Sequence, residues 1–170
     1  SRQEAGTLSI AATHTQARYV LPTPVAALRT RYPKVAVSLH QGTPDDVAQM
    51  ILDDAAEIGM ATERLTQYEE LVTLPCYEWR PAARSKIDAA FEQRGLKPNF
   101  ALEAIDSDVI KTYVRLGLGV GLVAEMAVQD DPLCAPGGDL TARPVGHLFG
   151  PNVARIAFKR GAYLRNFVYT

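Results

Sequence analysis

Short apolar runs and amphipathic stretches take turns along this chain, and that alternation restricts the fold more than any other property of the sequence. Residues 7–12 (TLSIAA), 34–40 (KVAVSLH) and 57–61 (EIGMA) are brief, apolar and bounded by turn formers, as buried strands are. Between the first two, residues 16–32 carry Val20, Leu21, Val25 and Leu28 at helical spacing, with Pro22 and Pro24 interrupting or opening the helix. After the second, Gly42-Thr43-Pro44-Asp45-Asp46 supplies a capping residue followed by proline at the first helical position, and the spacing predicts a helix to about Leu52. Strand, helix and strand in succession are βαβ units on a mainly parallel sheet, so the class is α/β.

The second half repeats the pattern with differences. Residues 70–79 (ELVTLPCYEW) read as extended, and Pro75 restricts them to a sheet edge or a bend. Residues 85–94 (SKIDAAFEQR) form an amphipathic helix stopped by Gly95, and residues 100–104 are expected to be a strand. Asp106-Ser107-Asp108 caps a helix bearing Val109, Ile110, Tyr113, Val114 and Leu116, and residues 117–123 (GLGVGLV) turn into another expected strand. Residues 130–138 are a loop, 153–159 (VARIAFK) a last strand, and 162–170 a further helical stretch. Two α/β clusters joined near Pro75, and again between Thr141 and Asn152, predict one domain over 1–170 made of two lobes. Lobe I takes about 6–75 plus 150–170 and lobe II about 76–149. Ligands favour interlobe crevices and the carboxyl ends of sheet strands.

Composition narrows the function. Eighteen Lys and Arg against nineteen Asp and Glu leave a formal charge of -1, without the basic excess of a nucleic-acid-binding module. Two cysteines, Cys76 and Cys134, are too few for a disulfide framework and are expected to be buried thiols in a reducing compartment. Neither a signal-type opening nor an 18-residue apolar run occurs, so a cytoplasmic protein is expected, and residues 1–6 read as a cut through a linker.

Residues 11–16 (AATHTQ) lie where the first strand hands over to its helix. Free amides, two hydroxyls and a carboxamide meet there, which suits a sulfate, phosphate or carboxylate, and His14 lies among them. The other reading of Thr13 and Thr15 is that they simply cap the helix. Thr62 repeats the arrangement after the third strand and is otherwise a turn residue. Thr43, after the second strand, is most simply an N-cap. Trp79, beside the lobe crossing, lines a pocket or only packs. Asp45-Asp46 and Asp53-Asp54 are expected to be solvated helix termini. The histidines at 14, 40 and 147 have no metal spacing, and no nucleophile elbow, phosphate loop or dinucleotide fingerprint is present. No metal, cofactor or catalytic residue is therefore assigned. An enzyme would need an acid, base or nucleophile near the crevice, where only His14 and Glu63 qualify.

The runs THTQARY (13–19), LHQGTP (39–44), ATE (61–63), LPCYEW (74–79), SDVIKTYV (107–114), GLGVG (117–121) and RGAYLR (160–165) together resemble the effector-binding domain of LysR-type transcriptional regulators, in the branch that includes CysB and Cbl. The resemblance covers nearly the whole chain. It implies a two-lobed fold like type 2 periplasmic binding proteins, with an effector cleft between the lobes, and control of sulfur assimilation or sulfonate use. The effector would be a small anion such as sulfate, thiosulfate, acetylserine or adenylylsulfate. By motif, Thr13, Thr15, Gln16 and Thr62 match the residues that hold a sulfate-like anion, and Trp79 an aromatic near them; His14 and Thr43 complete the candidate set. A homodimer or homotetramer is implied, with DNA bound only through an absent N-terminal winged helix-turn-helix and no membrane contact. The alternative of another class is a free-standing solute-binding protein serving a transporter. One departure stands out. After Trp79-Arg80 the family carries a strand, a loop, a helix and a further strand, whereas Pro81 to Asp88 follow here at once. The expectation is that a disordered segment after Arg80 has been omitted. The family's anion-binding threonine there aligns with Ala82.

Overall fold

A computed structural model describes residues 5–79, 84–150 and 152–169, without the side chains of 77–79 and 152. The chain divides into two compact units, Ser1–Tyr77 with Val153–Thr170, and Glu78–Asn152.

The first unit is built on one mixed sheet of five strands, β1 (Ala5–Ala12), β2 (Lys34–Gln41), β3 (Ile58–Ala61), β4 (Leu71–Trp79) and β5 (Asn152–Lys159). Their spatial order is β2-β1-β3-β5-β4. β1 runs parallel to β2 from Ala5 opposite Lys34 to Ala12 opposite Gln41, and parallel to β3 from Ile10 opposite Ile58 to Ala12 opposite Met60. β5 returns antiparallel to β3, with Ala61 opposite Arg155. β4 lies at the edge, as Pro75 requires, because a proline without an N–H cannot serve an interior ladder.

Both faces of the sheet are covered, since successive side chains of a strand point to opposite sides. Leu8, Ile10 and Ala12 of β1 pack on one face with Ala17, Leu21, Leu28, Val35, Met60 and Phe167. Ala11 points the other way, to Val47, Ala48, Ile51, Ala61, Leu65, Leu71 and Ala157. The expected single helix over 16–32 is two, α1 (His14–Tyr19) and α2 (Pro22–Arg31). Pro22 has no N–H to continue the ladder, and its ring crowds the carbonyl one turn back, so the chain restarts a helix with proline in its first turn.

α3 (Pro44–Leu52) begins on the expected cap. Thr43 Oγ1 accepts from Asp46 N at 3.2 Å and Asp46 Oδ2 accepts from Thr43 N at 2.8 Å, a reciprocal capping box. Val47, Ala48 and Ile51 form its buried stripe. Gly59 of β3 lets that stripe close on the sheet: a Cβ there would meet Ile51 Cδ1 at 2.6 Å and Val47 Cγ1 at 2.8 Å. Burying side chains of this size contributes ~1.5–3 kcal/mol each. A 3₁₀ turn at Glu63–Gln67, which no sequence signal announced, follows β3, and another at Asn166–Tyr169 replaces the helix expected over 162–170 and buries Phe167.

In the second unit α4 (Arg84–Glu92) buries Ile87 and Ala90. It ends at Gly95, whose φ of +65° opens a left-handed turn closed by Leu96 N donating to Phe91 O at 3.0 Å. α5 (Ser107–Arg115) is capped by Asp106, which accepts from Asp108 N at 2.8 Å. The face of α5 turned inward is mixed, with Ser107 and Lys111 buried beside half-buried Ile110 and Val114. Lys111 is buried, donating to Ala127 O at 2.7 Å and pairing with Asp108 at 2.8 Å and with Asp131.

Two expectations are corrected here. Residues 100–104 and 117–123 are not strands: among the described residues neither segment joins a ladder, and no backbone group of 119–123 pairs with another. β-propensity describes fit to a pleated, half-buried surface, and without a neighbouring strand the same residues stay irregular. The thiols also differ from expectation, since Cys76 is exposed on the edge strand β4 and Cys134 half-buried.

Candidate functional site

The parallel pairing of β2, β1 and β3 brings three sequence-predicted motifs to one edge of the sheet. Adjacent strands lie about 4.8 Å apart, so their carboxyl ends deliver Gln41-Gly42-Thr43, Thr13-His14-Thr15 and Thr62 side by side. Two backbone bonds tie these ends together: Gly42 N donates to Ala12 O at 3.2 Å, and Thr13 N donates to Met60 O at 3.2 Å.

Thr13 occupies the N-cap of α1, with extended backbone at ψ 157°, yet its hydroxyl makes no capping bond. Its N–H is spent on Met60, and its carbonyl accepts from Ala17 N at 2.9 Å. Among the described residues, the Thr13 and Thr15 hydroxyls have no protein partner, and the amides of His14 and Thr15 have no backbone acceptor. The cap reading of these threonines thus fails at the hydroxyl, leaving donors half-buried and uncommitted. Gln16 is wholly buried. His14 Nδ1 is buried with no hydrogen-bond partner. The helix-terminus component of the sequence reading is weak, because six residues align too few peptide dipoles to hold an anion on their own. Hydroxyls and amides are the recognising groups on offer.

The other two threonines are engaged. Thr43 caps α3, which commits one lone pair of its hydroxyl to Asp46 N and leaves its proton to be given. Thr62 caps the 3₁₀ turn, accepting from Arg64 N at 3.4 Å, a long contact that leaves its O–H free to turn. Trp79 ends β4, but its side chain lies outside the described residues, as does Ala82.

Sequence reasoning missed the brace behind these ends. Asp45 was expected to be a solvated helix terminus; instead Oδ1 accepts from Arg64 Nε at 2.9 Å and from Tyr68 OH at 2.5 Å. Hydrogen bonds from Arg64 first and Tyr68 second hold its carboxyl below the ordinary value of 3.8, and the carboxylate pushes the Tyr68 phenol up. The Asp45 brace links the first turn of α3 to the turn after Thr62. Glu63 Oε1 adds a tie to β5, accepting from Val153 N at 3.1 Å. No pattern announced this, because the partners are 19 and 23 residues apart and none stands in a motif. Asp54 likewise is no idle terminus: at φ 58° it ends α3 and pairs with Lys159 at 2.8 Å.

The first unit is thus an α/β unit whose parallel strand ends present uncommitted hydroxyls. Its fold is that of LysR cofactor-binding domains, and the chain belongs to the LysR substrate binding domain family, whose model matches residues 1–83 and 76–168. It is 46% identical over 203 aligned residues to the HTH-type transcriptional regulator CysB of Burkholderia cenocepacia, covering 99% of this chain and 63% of that protein. It is 40% identical to SsuR of the same organism, covering 98% and 64%. The HTH-type regulator cbl of Escherichia coli is 37% identical, covering 96% and 61%. Among solved structures, the cofactor-binding domain of the Cbl transcriptional regulator superposes with a TM-score of 0.88 at 37% identity, covering 97% of this chain and 85% of that one. The chain thus spans rather less than two thirds of the curated relatives it matches. Those relatives are transcriptional regulators, not enzymes. Among the described residues no helix is long and apolar enough to cross a membrane.

Proposed function

We propose that this domain senses a small sulfur-related anion, of the sulfate, thiosulfate, acetylserine or adenylylsulfate class, for a cytoplasmic regulator of sulfur assimilation or sulfonate use. The anion is held by Thr13 and Thr15 hydroxyls and the amides between them, with Gln16 and Thr62 beside them. His14 borders the site, Thr43 fixes its third strand end, and Trp79 stays a candidate by family resemblance alone. Occupancy biases how homo-oligomeric subunits sit on DNA through a winged helix-turn-helix outside this chain, which requires that the anion bind two arrangements with different affinity.

One observation carries the reading: the Thr13 hydroxyl stands at a helix cap without capping, beside an equally uncommitted Thr15. Hydroxyls that the protein leaves uncommitted are available to a ligand's oxygens. CysB, SsuR and Cbl, as regulators, favour this reading over a free-standing solute-binding protein.

Calorimetric titration with sulfate, thiosulfate, acetylserine and adenylylsulfate tests it. Hydrogen bonds to charged groups are worth ~1.5–3 kcal/mol, so Thr13→Ala or Gln16→Ala weakens binding by roughly 10- to 100-fold. Equal affinity in wild type and both variants removes the site from the proposal.

A further inference from the structure

One titratable side chain stands among the hydroxyls and amides of the strand-end site. His14 lies between Thr13 and Thr15 as the first residue of α1, half-buried, and its Nδ1 is enclosed with no hydrogen-bond partner. A neutral imidazole has one N–H and one bare nitrogen, whereas the imidazolium donates from both. A second proton on this ring therefore puts a charge and an unmatched donor into an enclosed place, which is costly until an acceptor is brought to it.

The surrounding elements supply no carboxylate to meet that need. From Ala5 to Pro44, a stretch that takes in β1, α1, α2 and β2, the sequence has neither Asp nor Glu. The charges there are cationic. Arg18, one turn along α1, lies over the Tyr19 ring, α2 ends on Arg29 and on Arg31 over the Tyr32 ring, and β2 starts at Lys34. β2, which packs on α1, also carries His40, whose Nε2 meets Ser38 Oγ at 3.2 Å. β3, tied to Thr13 through Met60 O, has no titratable side chain, and the turn whose Phe167 joins Ala17 in the core carries the exposed Tyr169. The carboxylates next along the chain bond elsewhere: Asp46 at the cap of α3, Asp45 with Arg64 and Tyr68, Glu63 with Val153 N, and Glu57, before β3, with Arg165.

We propose that His14 matches the ligand's charge: an anion binding at Thr13 and Thr15 brings one proton with it from solvent, and that proton completes an imidazolium whose new N–H donates to an anion oxygen. This role rests on the anion site proposed above and adds the ligand's charge class to it. A dianion is matched by the imidazolium, whereas a zwitterion already carries its own cation and gains less. The occupied site holds more protons than the free one, so affinity falls as pH rises, and by reciprocity the anion favours the protonated ring. Imidazole suits the part because it is the side chain that ordinarily exchanges its proton near neutral pH.

Isothermal titration of the 170-residue chain with sulfate and with thiosulfate, dianions that exchange no proton near neutral pH, counts the proton when repeated in buffers of different ionisation enthalpy. The expected result at about pH 7.5 is uptake of more than half a proton per anion in wild type, none in His14→Gln, and the wild-type count in His40→Gln. Wild-type affinity falls several-fold, up to about tenfold, as pH rises by one unit above neutrality, and stays level in His14→Gln. Nitrogen-detected NMR reads the same event on wild type without any variant: sulfate converts the His14 ring from one protonated nitrogen to two. A histidine that only packs would change affinity or Tm on substitution, but not the proton count or the ring signals. No proton uptake by wild type, uptake that persists in His14→Gln or is lost in His40→Gln, or a His14 ring that stays neutral at saturating sulfate each overturns the proposal and leaves the anion site standing. Binding of neither dianion overturns it too, and titration with acetylserine and adenylylsulfate then decides the anion site separately.

Discussion

Alanine substituted separately at Thr43 and Thr13 discriminates a cap from a ligand group, because both residues stand at helix N-caps and the structure uses their hydroxyls differently. At Thr43 the change deletes the acceptor for Asp46 N, a 3.2 Å bond, while the return bond from Thr43 N to Asp46 Oδ2 at 2.8 Å survives. Losing a cap acceptor costs ~1 kcal/mol, within a range of roughly 0.5–2. For a domain of this size that lowers Tm by about 2–4 °C, and Thr43→Ser restores it. At Thr13 no side-chain bond is lost, so the stability change stays within about 0.5 kcal/mol, as for a substitution that breaks no named feature. Differential scanning calorimetry gives the two Tm values, and isothermal titration with the tightest of the four anions gives the affinities. The expected result is a crossed pattern: Thr43→Ala lowers Tm and leaves affinity within a few-fold, whereas Thr13→Ala leaves Tm and lowers affinity at least tenfold. If Thr13→Ala melts as early as Thr43→Ala, the free hydroxyl is fictitious and the argument fails at its first step.

Gly59→Ala drives a methyl into Ile51 and Val47 and costs ~1–3 kcal/mol as overpacking. Adding Ile51→Val removes the Cδ1 contact and recovers part of the loss, a coupling that a double-mutant thermal cycle measures. Asp45, Asp46 and Asp131 all titrate below the ordinary 3.8, so the folded state holds fewer protons than the unfolded chain on the acid side. Their contribution is present above about 3.8 and is lost as pH falls through the lowered folded values; chemical denaturation at stepped pH shows the decline, and Asp45→Asn flattens it. Lys111→Met removes the cation that holds Asp131 down, so the Asp131 carboxyl titrates higher in a carbon-detected NMR titration and the second unit melts earlier.

The first unit was readable because each of its cues is local. The cap at Thr43 and Pro44, the alternation of β1 and β2, and the break at Pro22 all lie within a few residues of what they determine, and each came out as read or as one of two readings. The co-location of Thr13, Thr43 and Thr62 was legible too, since a parallel sheet places successive strand ends on one edge. The Asp45 brace was not. It joins residues 19 and 23 positions apart through side chains that individually look like solvated polar surface, and only the packed turn after β3 makes them neighbours.

The second unit shows the limit of periodicity in another way. α5 has helical spacing of apolar residues, yet Ser107 and Lys111 are its buried side chains, while Val109, Tyr113 and Leu116 face out. A hydrophobic stripe says that a face must be covered; it does not say by what. The interior bonds of Lys111 form because Ala127, Asp108 and Asp131 stand beside it, whereas Val109, Tyr113 and Leu116 meet no cover among the described residues. Residues 100–104 and 117–123 likewise have no neighbouring strand among the described residues. A helix completes its hydrogen bonds within its own segment, so α4 and α5 form without a strand beside them. A strand completes them only across a ladder, so the two expected strands alone are missing from where the sequence placed them.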